Sequence, residues 1–244
     1  MSEKGRKEAR IGLDAESELL MRVNEDMNFR KRLTSCLRRL GFRLRDVRMR
    51  KDGVKVDLVI ESRSSKIGVS LKTSTRTSFH QLDRRRLEEW RDVLSMPDDI
   101  YWILRRSILR KASNRRAPFI EEEDREEIRD FFSAHLGQIL EEIFRRGEQV
   151  DLLAIYNKRA RKLYIFRMDD VLTLLRSSEV SFSPRGIIRL GPFITVQRKG
   201  GDGRRVKVPK TDWRHPGNQL QFKFSPLKFV EWARGRIPHC ELDL

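Results

Sequence analysis

The chain has 244 residues, which is enough for one large domain or two small ones with a buried core. Lysine and arginine number 53 and aspartate and glutamate 36, so the formal net charge is +17, and this surplus favours nucleic acid over an acidic membrane surface or an acidic protein as the partner. No apolar stretch approaches the roughly 18 residues of a membrane span, and the polar opening MSEKGRKEAR has no apolar export segment, so we expect no membrane association.

The first third of the chain predicts two helices followed by three strands. LDAESELLMRVNEDM has helical periodicity, and NFRKRLTSCLRRLG predicts a second helix that Asn28 caps and Gly41 ends. The Asp52-Gly53 pair is a strong two-residue turn signal, so FRLRDVRMRK and VKVDLVI should form a hairpin. KIGVSLKTS predicts a third strand.

The middle of the chain is mainly helical. LDRRRLEEWRDVLSM predicts a helix that ends at Pro97, whereas DDIYWILRRSIL fits a strand or a helix. EEEDREEIRDFFSAHLGQILEEIFRRG predicts one long helix or two short ones. VDLLAIYN and KLYIFRM then predict a hairpin, and DDVLTLLRSS a short helix.

From Val180 onward the pattern is mostly strands: VSFS, GIIRL, FITVQRK and NQLQFKF, followed by a helix that starts near Pro226. This order of elements predicts an α/β (α+β) protein. We expect a core in residues 1–180, with N-terminal helices and a helical insertion, and a β-rich region in residues 181–244 packed on that core.

Other residues argue against several cofactors. Cys36 and Cys240 are far apart in the sequence and match no zinc spacing, which is typical of a protein of the reducing cytoplasm. The four histidines are scattered. No glycine-rich phosphate loop is present, so we expect no nucleotide cofactor.

One polar face of the second and third predicted strands carries a candidate active site. With Ile60 opposite Ile67 in an antiparallel pair, the apolar residues of both strands share one face. Asp57 then faces Ser70, and Lys72 lies diagonally within reach of Asp57. A carboxylate can hold Mg²⁺, and a nearby lysine can act on a water or stabilise charge on a phosphate. The alternative is a solvated strand face with a chance Asp–Lys pair.

Asp57, a short hairpin and a residue pair ending in Lys72 resemble the PD-(D/E)XK nuclease superfamily, especially its type II restriction endonucleases. The resemblance covers roughly residues 14 to 95 and implies a PD-(D/E)XK-like mixed sheet flanked by helices. It also implies Mg²⁺-dependent hydrolysis of duplex DNA at a specific short sequence. Asp57 and the carbonyl of Leu71 would bind the metal, and Lys72 would face the attacking water. A looser resemblance to restriction enzymes that cut CGCG rests on no particular motif.

The chain departs from the family pattern at two positions. Val56 stands where the family often has proline, and Ser70 where it usually has glutamate or aspartate. Some restriction enzymes resemble this chain in having a neutral polar residue there. The family sometimes recruits a glutamate from the N-terminal helix, and Glu16 is the candidate we favour. The alternative for Glu16 is an acidic residue that complements the helix dipole.

A second candidate region is ITVQRKGGDGRRVKVPKTDWRHPGNQLQFKF, which has seven basic and two acidic residues between Arg198 and Arg214. Alternation places its polar residues on one face of a basic two-stranded ribbon, and glutamine, arginine and lysine can read base edges in the major groove. The alternative is a solvated hairpin with a flexible basic tip. The candidate DNA-binding residues are Gln197, Arg198, Lys199, Gln219, Gln221 and Lys223.

A third candidate region is RDVRMRKDG. Arg48 and Arg50 suit a narrow minor groove, and Met49 between them could enter a base step as an apolar wedge. The alternative is that Met49 packs in the core.

The favoured function is therefore a type II restriction endonuclease that acts on double-stranded DNA. A homodimer is expected, because two strands need two active sites and a symmetric site suits a two-fold protein. The alternatives are a DNA-repair or Holliday-junction nuclease on the same core, and a non-catalytic basic DNA- or RNA-binding protein.

Overall fold

The computed structural model describes residues 3–52, 56–63, 65–76, 79–201 and 207–244. The chain forms two compact units, each built from separate segments. The first unit comprises residues 1–78, 144–174 and 226–244, and the second comprises residues 79–143 and 175–225. This division differs from the expected single boundary after residue 180, because the chain returns to the first unit at Pro226.

The first unit is built around a six-stranded mixed sheet with the order β1-β2-β3-β5-β6-β11. Only the β3–β5 pair is parallel, and the other pairs of this sheet are antiparallel. Numbered in chain order, the strands are β1 (Arg48–Lys51), β2 (Leu58–Ser62), β3 (Ser65–Ser74), β5 (Leu152–Asn157), β6 (Lys162–Arg167) and β11 (His239–Asp243). The helices are α1 (Glu3–Glu25), α2 (Met27–Arg39), the first part of α7 (Met168–Arg176) and α8 (Pro226–Ala233).

Helices α1 and α2 cover one face of this sheet. In α1, Ala15, Leu19 and Val23 recur at the four-residue spacing of a helical stripe, and all three are buried. They share a hydrophobic core with the apolar side chains of β2, β3, β5 and β6. The side chain of Asp26 begins α2 by accepting hydrogen bonds from the N–H groups of Asn28 and Phe29. Asp26, rather than Asn28, is therefore the cap.

The predicted register of the second and third strands is confirmed, because Ile60 lies opposite Ile67. Strand β2 begins at Leu58, later than predicted. The N–H of Asp57 nevertheless donates to the carbonyl of Val69 at 3.0 Å, so the pairing continues one residue before β2. Gly53, in the predicted turn, and residues 54 and 55, in the predicted strand, lie outside the described residues.

The two cysteines, which the sequence gives no reason to pair, meet in the core of the first unit. Cys36 in α2 and Cys240 in β11 form a disulfide with a Cα–Cα distance of 5.7 Å. Across the described ranges, no helix is long and apolar enough to cross a membrane.

The second unit is built around a five-stranded antiparallel sheet with the order β4-β10-β9-β8-β7. Its strands are β4 (His80–Arg85), β7 (Val180–Phe182), β8 (Ile188–Leu190), β9 (Ile194–Arg198) and β10 (Leu220–Phe224). Its helices are α3 (Leu87–Leu94), α4 (Asp98–Ser113), a 3-10 turn (Glu122–Asp124), α5 (Arg125–Ala134), most of α6 (Leu136–Phe144) and the end of α7.

The main error of the sequence prediction lies at β4, where a helix was expected. The chain is a strand through Arg85 and becomes helical only at Leu87. The residues that β4 buries are charged: Arg85 pairs with Asp83 at 2.9 Å and with Glu142 at 2.7 Å, and its guanidinium lies 4.4 Å from the ring centroid of Trp90. Buried charges hide the alternation that marks a strand. DDIYWILRRSIL, which fits a strand or a helix, forms the helix α4. EEEDREEIRDFFSAHLGQILEEIFRRG, which predicts one long helix or two short ones, forms the two short helices α5 and α6.

Candidate active site

Asp57 and Lys72 meet at the end of the β2–β3 pairing. Alternation puts Leu58, Val69 and Leu71 on the face covered by α1 and α2, so Asp57 and Lys72 project from the opposite face. Lys72 Nζ lies 3.3 Å from Asp57 Oδ2. The predicted diagonal contact is therefore present.

Ser70 lies between the two charged groups. Its Oγ donates to Asp57 Oδ2 at 3.2 Å and accepts from Lys72 Nζ at 2.8 Å. The N–H of Leu71 donates to the same Asp57 oxygen at 2.6 Å. Ser70 is 2% exposed, whereas the side chains of Asp57 and Lys72 are 24% and 23% exposed. A carboxylate and an ammonium group are thus held in fixed positions and still reach solvent.

The carbonyl of Leu71 is well placed to bind an external group. The carbonyl of Val69 points toward β2, where it accepts the hydrogen bond of the Asp57 N–H. Because carbonyls two residues apart in a strand point to the same side, the carbonyl of Leu71 points to that side as well. The β2–β3 ladder ends at the Leu58–Val69 pair, so the Leu71 carbonyl extends beyond the ladder. Lys72 Nζ is 3.4 Å from it.

Asp57 and the Leu71 carbonyl could supply some, but not all, of the ligands of a magnesium ion. Mg²⁺ usually binds through one or two carboxylates and retains waters and substrate phosphates as its other ligands. Asp57 and the Leu71 carbonyl meet that minimum. Among the described residues no cluster of three or more histidine, cysteine, aspartate or glutamate side chains is placed to hold a metal. Glu16, the predicted extra ligand, lies beside Lys51, with Oε2 3.6 Å from Nζ.

Two acidic residues that sequence reasoning missed fix the backbone around Asp57. Glu148 Oε2 accepts a hydrogen bond from the N–H of Val56 at 3.0 Å. Asp151 Oδ2 accepts one from the N–H of Gly68 at 2.8 Å. The segment that carries both acids crosses β3 closely, because a Cβ atom at Gly68 would lie 2.1 Å from the carbonyl oxygen of Gln149. The only sequence signal was a pair of acids just before a strongly apolar strand.

The predicted ribbon is formed by β9 and β10, and its glutamine face is present. Gln221 lies opposite Gln197, and the N–H of Lys199 donates to the carbonyl of Gln219 at 2.9 Å. Gln219 and Lys223 flank Gln221 at the two-residue spacing of one strand face. The ribbon's tip, residues 202–206, lies outside the described residues.

Arg198, a candidate DNA-binding residue, lies on the face of the ribbon opposite the glutamines. It is opposite the buried residue Leu220, and its Nε donates to Asn218 Oδ1 at 2.8 Å. Burial, followed by the charge of Arg115, lowers the pKa of Arg198.

Met49 occupies the core instead of the surface. It is 5% exposed within the hydrophobic core of the first unit, and the side-chain amide of Asn24 binds both its N–H and its carbonyl. Its position therefore fits the core alternative and not the wedge. Arg48 is exposed, and Arg50 forms an ion pair with Glu61 at 2.8 Å.

The family model for the R.HinP1I restriction endonuclease matches residues 51–230, which is 180 of the 244 residues of the chain. The chain belongs to the R.HinP1I restriction endonuclease family. As a member of this family it is a type II restriction endonuclease, a deoxyribonuclease that cleaves DNA at a specific site. This confirms the favoured function, and the repair-nuclease and non-catalytic alternatives have no support. The matched residues include the Asp57–Lys72 site and the β4-β10-β9 part of the second sheet.

A solved structure supports the same fold. The crystal structure of the restriction endonuclease MspI in complex with its cognate DNA is similar to this chain with a TM-score of 0.61 and 14% identity. The similarity covers 91% of this chain and 93% of the MspI chain. The mixed α/β fold predicted from the sequence is therefore confirmed. No curated protein sequence matches the chain.

Proposed function

We propose that this restriction endonuclease hydrolyses phosphodiester bonds of duplex DNA with Asp57, Ser70 and Lys72 as its catalytic residues and Mg²⁺ as its cofactor. The observation that carries the proposal is the contact network in which Asp57 Oδ2 meets Leu71 N–H, Ser70 Oγ and Lys72 Nζ within 3.3 Å. The net charge of +17 supports a polyanionic substrate. MspI, which shares the fold, was crystallised in complex with its cognate DNA.

Each residue has a distinct proposed role. Asp57 and the Leu71 carbonyl would hold Mg²⁺, which when bound supplies stabilisation of the charge that develops on the phosphate. The Lys72 ammonium group would lie beside the attacking water and the reacting phosphate, where a fixed positive charge lowers the transition-state energy. Ser70 holds Lys72 in place through the 2.8 Å hydrogen bond. Glu16 would enter this site only as a third protein ligand, which would be the second carboxylate.

We further propose a division of labour between the two units. The first unit contains the Asp57–Lys72 site and would cut the DNA, whereas the second contains the glutamine-bearing sheet and would read its sequence. Arg48, on the first unit, would contact DNA phosphates. A homodimer acting in the cytoplasm remains the expected form, because a palindromic duplex site suits a two-fold protein.

The test is digestion of plasmid DNA with Mg²⁺, followed by sequencing of the fragment ends. Wild type should give discrete fragments, and Asp57→Ala and Lys72→Ala should each cut at least about 100-fold more slowly. Both variants should bind duplex DNA in Ca²⁺ nearly as well as wild type, since their side chains act on the transition state. Lys66→Ala is a matched control, because Lys66 lies on β3 but is 71% exposed and 3.8 Å from Glu61.

Cleavage by either active-site variant at a near wild-type rate would show that this site assignment is wrong. Discrete cutting by wild type without any added divalent ion would contradict the Mg²⁺ requirement. Loss of duplex binding in both variants, with Lys66→Ala normal, would make the site a docking element instead of a catalytic one.

A further inference from the structure

Strand β4 shares a face with the glutamines of the ribbon. Strand β10 lies between β9 and β4, and its residue Gln221 is opposite Gln197 on one side and Arg84 on the other. Lys223 is likewise opposite Gln81 of β4. Side chains that are directly opposite in an antiparallel pair project from the same face. Gln81 and Arg84 therefore belong to the polar face of this sheet.

A β-bulge in β4 makes this arrangement possible. Gln81 and Arg84 are three residues apart and would project from opposite faces of a regular strand. The pairing shifts between Phe222 and Lys223, which lie opposite Asp83 and Gln81, so Leu82 is the extra residue. The bulge turns Gln81 to the face of Arg84, while Arg85 and Asp83 stay buried on the other face.

On this face the β4 side chains are more accessible than the central glutamine. Gln221 is 7% exposed, and its Nε2 donates to Gln81 Oε1 at 3.1 Å. Gln81 and Arg84 are both exposed. The hydrogen bond fixes the amide of Gln81 through its oxygen, which leaves the Gln81 amide N–H groups directed away from Gln221. Gln81, and not Gln221, can therefore meet an outside acceptor.

Positive charge is concentrated beside Gln221. Burial, and next the charges of Arg84 and Arg86, lower the pKa of Lys199. Arg84 has no ion pair with a carboxylate among the residues that the structure describes. Grouped positive charges raise the energy of the free protein and favour an anionic partner.

We propose that β4 is the principal base-reading strand: Arg84 and Gln81 contact base edges in the cognate site, and Gln221 is a positioning residue that orients Gln81. The proposal rests on the proposed cleavage of duplex DNA. The planar guanidinium of Arg84 matches the N7 and O6 acceptors of guanine, and a free amide N–H of Gln81 matches a base acceptor. Arg84 therefore reads a guanine.

The experiment first identifies the cognate site from the fragment ends of a wild-type digest. Binding is then measured in Ca²⁺ for cognate and scrambled duplexes with Arg84→Ala, Arg84→Lys, Gln81→Ala, Gln221→Ala and the Gln81→Ala/Gln221→Ala double variant. Arg84→Ala should reduce the preference for cognate DNA by about 10- to 100-fold. Arg84→Lys should reduce it almost as much, because a lysine keeps the charge but cannot bind two acceptors in a planar fork.

Two further comparisons identify the contacts. In the first comparison, each cognate guanine is replaced in turn by 7-deazaguanine, which lacks the N7 acceptor. At the guanine that Arg84 contacts, this replacement should weaken wild-type binding and leave the binding of Arg84→Ala unchanged. Gln221→Ala should lower the cognate preference, and the double variant should be no worse than Gln81→Ala, because Gln221 acts through Gln81. Melting temperatures near that of wild type would show that each variant is folded.

Full cognate preference in Arg84→Lys would overturn the reading role and leave Arg84 as a phosphate contact. Additive losses in the double variant would overturn the positioning role of Gln221. If wild type gives no discrete fragments, the proposed function itself fails. If wild type cuts at one sequence and the β4 variants keep their preference, only this inference fails.

Discussion

Replacing Glu148 by alanine should slow DNA cleavage while leaving the protein folded. Glu148 accepts the hydrogen bond of the Val56 N–H at 3.0 Å, and Val56 precedes Asp57 where β2 has not yet begun. The variant leaves that N–H without its acceptor in a residue that is 7% exposed. Asp57 would then lose one of the contacts that fix its backbone.

The size of the effect follows from that one bond. A hydrogen bond to a charged acceptor contributes about 1.5–3 kcal/mol. If the whole amount is lost from the aligned form of Asp57, the ratio of aligned to misaligned forms falls roughly 10- to 150-fold, which is the upper limit of the loss in rate. Glu148→Gln keeps a carbonyl acceptor, and a neutral acceptor is weaker by about 1 kcal/mol, so the expected loss there is only about 5-fold.

The assay is single-turnover cleavage of a duplex that contains the cognate site, with Mg²⁺ varied. If Glu148 positions Asp57, Glu148→Ala should have a lower maximal cleavage rate and an unchanged affinity for DNA in Ca²⁺, because Asp57 is still present but misplaced. Asp151→Asn is a matched comparison, since Asp151 holds the neighbouring strand through the Gly68 N–H. Equal losses in Glu148→Ala and Glu148→Gln would refute the reasoning, because the negative charge, and not the acceptor, would then be what cleavage requires.

Four further outcomes are expected. Ser70→Ala should slow cleavage roughly 10-fold, because it removes hydrogen bonds to the charged groups of Asp57 and Lys72, and an unchanged rate would contradict this. Glu16→Gln should raise the Mg²⁺ concentration for half-maximal rate if Glu16 is a third ligand, and an unchanged Mg²⁺ titration would exclude that role. Arg85→Met should lower the free energy of unfolding by about 3–5 kcal/mol in denaturant titrations, because it removes the positive charge paired with the buried carboxylate of Asp83; a change below about 1 kcal/mol would contradict this. Arg214 lowers the pKa of Asp212 from 3.8 to about 2, so this pair stabilises the fold above pH 3.8 and the contribution is lost as the pH falls toward 2. In Arg214→Ala the NMR titration of Asp212 should move up toward 3.8, and an unmoved midpoint would assign the shift to other groups.

The Asp57–Ser70–Lys72 contacts were predictable because two independent patterns agree. The apolar residues of β2 and β3 fix one face, and the register that matches them brings the three polar residues together on the other. No long-range information is needed, because the two strands are joined by a short turn. The length of α1 and the true start of β2 were not predictable, since helix and strand ends depend on contacts made elsewhere.

Contacts between distant segments were not predictable. Glu148 and Val56 are 92 residues apart, and no local pattern links them. Strand β4 was hidden because its buried residues, Asp83 and Arg85, satisfy each other as an ion pair, so hydrophobic alternation is missing. For Met49 the sequence left a wedge and a core position open, and strand alternation between two arginines is enough to turn it into the core.

The parallel pairing of β3 with β5 has a consequence for how the protein is made. Residues 75–151, which include the whole 79–143 segment of the second unit, separate these two strands. At about 5–20 residues per second, a ribosome needs roughly 4–15 s to synthesise that stretch. Throughout this time the nascent β3, with Lys72 already in place, presents an unpaired strand edge of the kind that promotes aggregation. The six-stranded sheet is complete only after β11 has been made, so this sheet closes after both segments of the second unit exist.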